Sequence, residues 1–246
     1  MTGCFINSKL QDGRTMNNSL ASKLVVLFLV GVSFLACKST DHTKSQTDEV
    51  TASENEENLE ELYWSKIDSA RMASFTEADV KFMTGMIAHH AQALVMSHLA
   101  PQNNASPQIQ RLASRIINAQ KDEIASMQQW LRDRNQPVVQ YHIDGINLTV
   151  KIDDEEWTTY RKMRGVLSQE QLETLASKKG KAFDQLFLKQ MIEHHSGAVY
   201  MVDNLFKTDG AAQDEESFRL ASNIQVDQKT EIERMKMILD QITETR

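Results

Sequence analysis

The chain has 246 residues, 41% of them hydrophobic and 25% charged, with a formal net charge of −7. It is long enough to bury a real core, and its acidic balance argues against nucleic acid while suiting cations. With only nine Gly and three Pro, and β-type alternation confined to one short segment, the class expected is all-α.

The N-terminus reads as a leader. Lys23 precedes an apolar run, LVVLFLVGVSFLA, that is too short and wrongly flanked for a transmembrane helix and fits the core of a signal peptide. It ends at Leu35-Ala36-Cys37, which looks like a bacterial lipobox, although Phe34 stands where such boxes more often have Leu. In that reading residues 1–36 are removed and Cys37 becomes the lipidated first residue; ordinary secretion is the alternative that Phe34 leaves open. The loss of Lys9, Arg14, Lys23 and Asp12 shifts the formal charge by −2, from −7 to −9. Met16 would make a more ordinary start than Met1. Cys4 and Cys37 are the two cysteines, so the mature domain is expected to hold no disulfide and no thiolate ligand.

Residues 37–61 are polar and acidic, without apolar periodicity, and read as a flexible tether. The bundle is expected over 62–246, after a short helix near Leu59 to Ile67. Thr76 is placed to cap a helix that carries Asp79 in its first turn, runs to about Leu99 and stops before Pro101. A loop, PQNNASP, leads into a helix from Pro107 to about Arg134, and so short a connection makes an antiparallel pair. Residues 135–180 form a connector. In it, PVVQYHIDGINLTVKID has strand-like composition around a turn signal at Asp144-Gly145. Asp153 or Asp154 is read as the cap of a helix through Met163, and Ser168 with Gln171 as a capping box for another through Lys178. Two further helices are expected, Ala182 to Lys207 and Asp214 to Thr243.

The two halves, 76–134 and 181–243, are copies. Asp79, Phe82, Met86, Ile87, His89, His90, Ala93 and Met96 recur 105 positions later as Asp184, Phe187, Met191, Ile192, His194, His195, Ala198 and Met201. In the helix that follows each, Ile116, Gln120, Glu123, Ile124 and Met127 recur at an offset of 108 as Ile224, Gln228, Glu231, Ile232 and Met235. This pattern, from about Phe75 to Leu239, resembles a bacterial family of unknown function, DUF305, built on repeated Met-x-x-His-His helices, each followed by a Gln-x-x-Glu-Ile-x-x-Met helix. The resemblance implies a ferritin-like, up-and-down helical bundle made of two repeated helix pairs and, in some members, copper binding or tolerance; it implies no reaction.

At 100° per residue, Asp79, Phe82, Met83, His89, His90 and Ala93 fall within about 60° of Met86 on the helical wheel. Asp184, Phe187, Leu188, His194, His195 and Ala198 do the same around Met191. On the following helices Gln120 and Glu123, and Gln228 and Glu231, interrupt otherwise apolar stripes. Packing four such stripes together buries polar groups that are costly unless they pair with one another or with a metal. A core histidine, a packing methionine and a carboxylate orienting an imidazole are the plain alternatives. The candidate metal ligands are His89, His90, His194 and His195, then Met86 and Met191, with Asp79, Asp184, Glu123 and Glu231 as direct ligands or as partners of the imidazoles. His42, His98 and His142 are read as bystanders, and His98 as exposed.

Imidazole with thioether suits Cu(I), and imidazole with carboxylate suits Cu(II), Zn, Fe or Mn, so the combination favours copper, with zinc or iron as alternatives. The reading is a lipid-anchored, extracytoplasmic metal-binding protein of the bacterial envelope that sequesters or delivers copper. Its partners would be metal ions and a membrane, not nucleic acid, and self-association through the remaining apolar faces stays open. Two other readings stand beside it. One is a ferritin-like di-metal oxidase, weakened because Met86, Ile87, Met191 and Ile192 stand where a Glu-x-x-His motif needs Glu. The other is an interaction module with structural histidines.

Overall fold

The computed structural model describes residues 50–244. The leader, Cys37 and the tether as far as residue 49 lie outside the described residues. The remainder of the tether is not extended: a helix, α1 (Val50–Ala73), begins well before the expected start near Leu59. Its described side chains, from Asn58 on, are largely exposed, Leu59 at 65% and Trp64 at 54%.

Two antiparallel pairs follow, α2 (Glu77–Gln102) with α3 (Pro107–Asp133) and, after the connector, α5 (Gly180–Lys207) with α6 (Glu215–Glu244). Helices α2 and α5 pack on each other and α3 packs on α6, so the four close into a bundle. Expectation and structure agree on the all-α class, the repeated pairs and the small strand excursion. The Thr76 and Ser168 capping boxes both form, because in each the hydroxyl accepts the N3 amide while the N3 side chain returns to the cap's own N–H.

Three local expectations are corrected. Helix α2 continues through Pro101 to Gln102, since a proline in the last turn removes one hydrogen bond there, and Asn103 closes the end by donating its N–H to Leu99. Asp153 and Asp154 cap no helix. Both adopt left-handed φ, 49° and 66°, in a tight turn between β2 (Asn147–Ile152) and β3 (Glu155–Glu156), an arrangement Asp tolerates well. Only a 3-10 turn, Thr159–Lys162, follows. His98 is half-buried rather than exposed.

The hairpin of β1 (Gln140–Asp144) and β2, the 3-10 turn and α4 (Gln169–Ser177) pack over the outer side of α2. Between Gly85 and Ser97 helix α2 is therefore buried on every face, and Ala88, Ala91, Leu94 and Val95 all have no exposure. The segment from Met163 to Leu167 runs against both α2 and α5, close to Gly85 and Gly197. Gln92 holds its end with two hydrogen bonds, donating to the Leu167 carbonyl at 2.8 Å and accepting the Leu167 N–H at 2.7 Å.

Candidate metal centre

Consecutive residues on a helix diverge by about 100°, so a His-His doublet reaches two neighbours at once. In α2, His89 turns to α5 and lies tilted against His194, with ring centroids 3.9 Å apart and planes inclined by 42°. His90 turns to α3, where its Nε2 lies 2.7 Å from Glu123 Oε2. The second half repeats this, with His194 facing His89 and the Nε2 of His195 2.7 Å from Glu231 Oε2. All four rings have no solvent exposure. Two carboxylates thus hold the outer imidazoles in place, as carboxylates commonly orient metal-binding histidines.

The inner pair differs. His89 has Nε2 3.1 Å from the Arg164 carbonyl; a carbonyl only accepts, so His89 Nε2 carries the hydrogen. His194 has no partner on either ring nitrogen. Burial, then the neighbouring His90, pushes His89 down to about 3 against the opposing pull of the Arg164 carbonyl. Burial, followed by His89, His195 and His90, holds His194 well below the usual range against a smaller opposing pull from the main chain of His89. Both rings are neutral at pH 7, and His89 presents the lone pair of Nδ1.

Five imidazole nitrogens end without a hydrogen-bond partner: Nδ1 of His89, His90 and His195, and both nitrogens of His194. Nearby on the following helices, both amide atoms of Gln120, Oε1 of Gln228 and Oε1 of Glu123 also lack partners. A buried polar atom left unpaired costs about 1–3 kcal/mol, so this concentration in one core is unusual. Among the described residues, no three His, Cys, Asp or Glu side chains already stand together in a metal-binding arrangement.

Asp79 and Asp184 do not join the histidines. Ten residues separate each from its His doublet, about 15 Å along a helix. Asp79 accepts from the backbone and hydroxyl of Thr76 at 2.9 and 2.7 Å and, across the bundle, from the Ala212 N–H at 2.7 Å. Asp184 accepts from the Ser106 N–H with both oxygens at 3.2 Å. Each repeat's aspartate thus clasps the loop of the other repeat, which explains their recurrence without a metal. Met86 and Met191 are fully buried one turn before the doublets, on the histidine face. His142 is exposed on β1.

Three features had escaped the sequence reading. Asp227, which stands where the first repeat has Ala119, is raised by burial and then by the carboxylates of Glu123 and Glu231. Its signal was a break in the repeat. The Arg164 carbonyl is backbone and has no sequence signature. Gly197 was legible only as a second break, at Gln92; a Cβ there would overlap the Arg164 carbonyl.

The fold and centre together define a four-helix bundle built by duplication around paired His–Glu contacts. The chain belongs to the family described as "Domain of unknown function (DUF305)", matched over residues 79–239. Among solved structures it is similar to a DUF305 protein of Streptomyces coelicolor described as secreted, at 26% identity and TM-score 0.55, covering 68% of this chain and 94% of that one. A DUF305 fragment from Deinococcus radiodurans is 26% identical with TM-score 0.56, covering 68% and 98%. CopM in its Cu(II)-bound form is 28% identical with TM-score 0.51, covering 66% and 96%. An uncharacterised protein of Acanthamoeba polyphaga mimivirus is 38% identical over 56 residues, 23% of this chain, and the match spans 37% of that relative's length.

Proposed function

We infer that this protein binds copper as a cargo, outside the cytoplasm, through His89, His90, His194 and His195, with Met86 and Met191 as the adjoining thioethers. The observation that carries the reading is the set of five unpartnered imidazole nitrogens in a core closed to water. A hydrogen-bonded structural histidine has its nitrogens satisfied, whereas these rings hold donor atoms in reserve. Neutral imidazoles are ready to ligate without first losing a proton, which suits the lowered values of His89 and His194. Imidazole beside thioether, with no thiolate among the described residues, matches copper better than zinc or iron. The similarity to Cu(II)-bound CopM supports the same metal.

Glu123 and Glu231 act through His90 and His195, keeping each Nε2 engaged and Nδ1 turned inward. Asp79 and Asp184 serve the loops. The likeness to a secreted protein and the lipobox at Cys37 support a place on the outer side of a bacterial membrane, held there by lipid. Among the described residues no helix is long and apolar enough to cross a membrane.

The test is titration of the purified chain with Cu(I), Cu(II) and Zn(II), beside a variant with all four histidines changed to Ala. Tight copper binding that the variant loses is the expected result. A well-folded wild type that takes up no copper at stoichiometric levels would overturn the reading.

A further inference from the structure

The duplication allows two equivalent sites or one shared by both repeats, yet the inner histidines are unequal, and the cause lies outside both repeats. Residues Met163–Leu167 cross the bundle where α2 meets α5. Three glycines admit them. A Cβ on Gly85 would come 3.0 Å from the Met163 methyl, one on Gly165 would come 2.8 Å from the carbonyls of Glu193 and His194, and one on Gly197 would overlap Arg164. Gly165 also has φ of 85°, where a side chain would be strained. Gln92 pins the far end through both amide atoms. What the crossing segment delivers is a single carbonyl, that of Arg164, at 3.1 Å from His89 Nε2. His194, 3.9 Å away ring to ring, makes no hydrogen bond of good geometry through either ring nitrogen; the main chain of His89 is its one opposing influence, outweighed by burial and the neighbouring rings.

We propose that this strap is a positioning device that turns the duplicated inner pair into one asymmetric copper site: the Arg164 carbonyl locks His89 with its hydrogen on Nε2 and Nδ1 toward the metal, while the unheld His194 adjusts to supply the second donor to the same ion. Two rings with centroids 3.9 Å apart cannot each serve a separate cation without bringing two positive charges close together in a dry core. With one ring fixed and one free, only His194 has to reorient on binding. The proposal rests on the copper reading for its ion but not for its hydrogen bond.

The experiment follows the imidazole nitrogens of the full-length, 15N-labelled chain by NMR, first copper-free and then with Cu(I) added in buffered steps. Without copper, His89 should show the Nε2–H tautomer alone and His194 a mixture. The first equivalent of Cu(I) should shift both rings together and saturate at one copper. Gln92→Leu releases the strap; Gly197→Ala pushes it off but would also set its Cβ 3.0 Å from His89 Nε2, so Gln92→Leu is the variant that isolates the strap. In either variant His89 should become mixed like His194, and affinity should fall about tenfold, as for other losses of a group that orients a ligand. If Gly197→Ala does not fold, Gln92→Leu carries the test. A wild-type His89 with its hydrogen on Nδ1, or two rings that respond at separate equivalents, overturns the proposal. A chain that binds no copper overturns the copper reading and with it the shared ion, while the tautomer of His89 still decides whether the strap positions that ring.

Discussion

The first helix pair and the second carry the same motif in different surroundings. His90 with Glu123 and His195 with Glu231 match in distance, 2.7 Å, and in the 14% exposure of the carboxylate side chain. Outside that contact the halves part. Ala88 and Val95, on the outer side of α2, lie wholly buried under the connector, while their counterparts Glu193 and Tyr200 on α5 are exposed. Contacts made inside a repeated helix pair are thus inherited by both copies, whereas whatever faces the connector is specialised in one.

Exchanging residues across the repeat breaks this comparison most severely. Ala88→Glu places a carboxylate under the connector without a partner and should cost about 3–5 kcal/mol or prevent folding. The reciprocal Glu193→Ala, on an open face, should stay within about 0.5 kcal/mol. Urea denaturation followed by circular dichroism measures both, and similar costs would mean that α5 is covered too.

The inner pair predicts a pH dependence. The folded value of His89 is about 3 against an ordinary 6.5, and His194 is shifted the same way. The unfolded chain therefore takes up these protons first. Stability is complete above about pH 6.5 and declines as pH falls from there toward the folded values. Copper-free protein should melt at a lower temperature at pH 5 than at pH 7. Replacing His89 and His194 with Leu should flatten the profile, and an unchanged slope would show that other groups dominate it.

The smallest effect probes the likeness of the halves. Glu123→Ala and Glu231→Ala each leave a buried Nε2 unpaired, at a cost of about 1–3 kcal/mol, and the two costs should agree to within about 0.5 kcal/mol. Thermal unfolding of the two variants side by side is the check. A clear inequality would extend the asymmetry of the inner pair to the outer one.

Much of this was legible in the sequence because it is local. Capping boxes at Thr76 and Ser168, an antiparallel pair across a short loop, and His-His doublets on a buried face all depend on spacing within one helix or one turn. The same local reasoning misplaced Asp79 and Asp184. An aspartate early in a helix and on the histidine face satisfies the wheel, but the wheel ignores distance along the axis, and the partners of these carboxylates, Ala212 and Ser106, lie in the opposite repeat. Asp153 and Asp154 misled for a related reason, since Asp suits both a helix cap and a left-handed turn, and the pairing of β2 with β3 settled which.

The duplication, the four helices of the bundle, the histidine doublets and the glutamates that meet them follow from periodicity and repeat offset, which place each of these on its face. The inequality of the two halves arises in the packing of the connector. The hydrogen bond that distinguishes His89 from His194 comes from a main-chain carbonyl 75 residues away in the chain, admitted by glycines whose role is to be small. A backbone acceptor is common to every residue type, so where it arrives depends on how the connector packs, and no pattern of side chains records it.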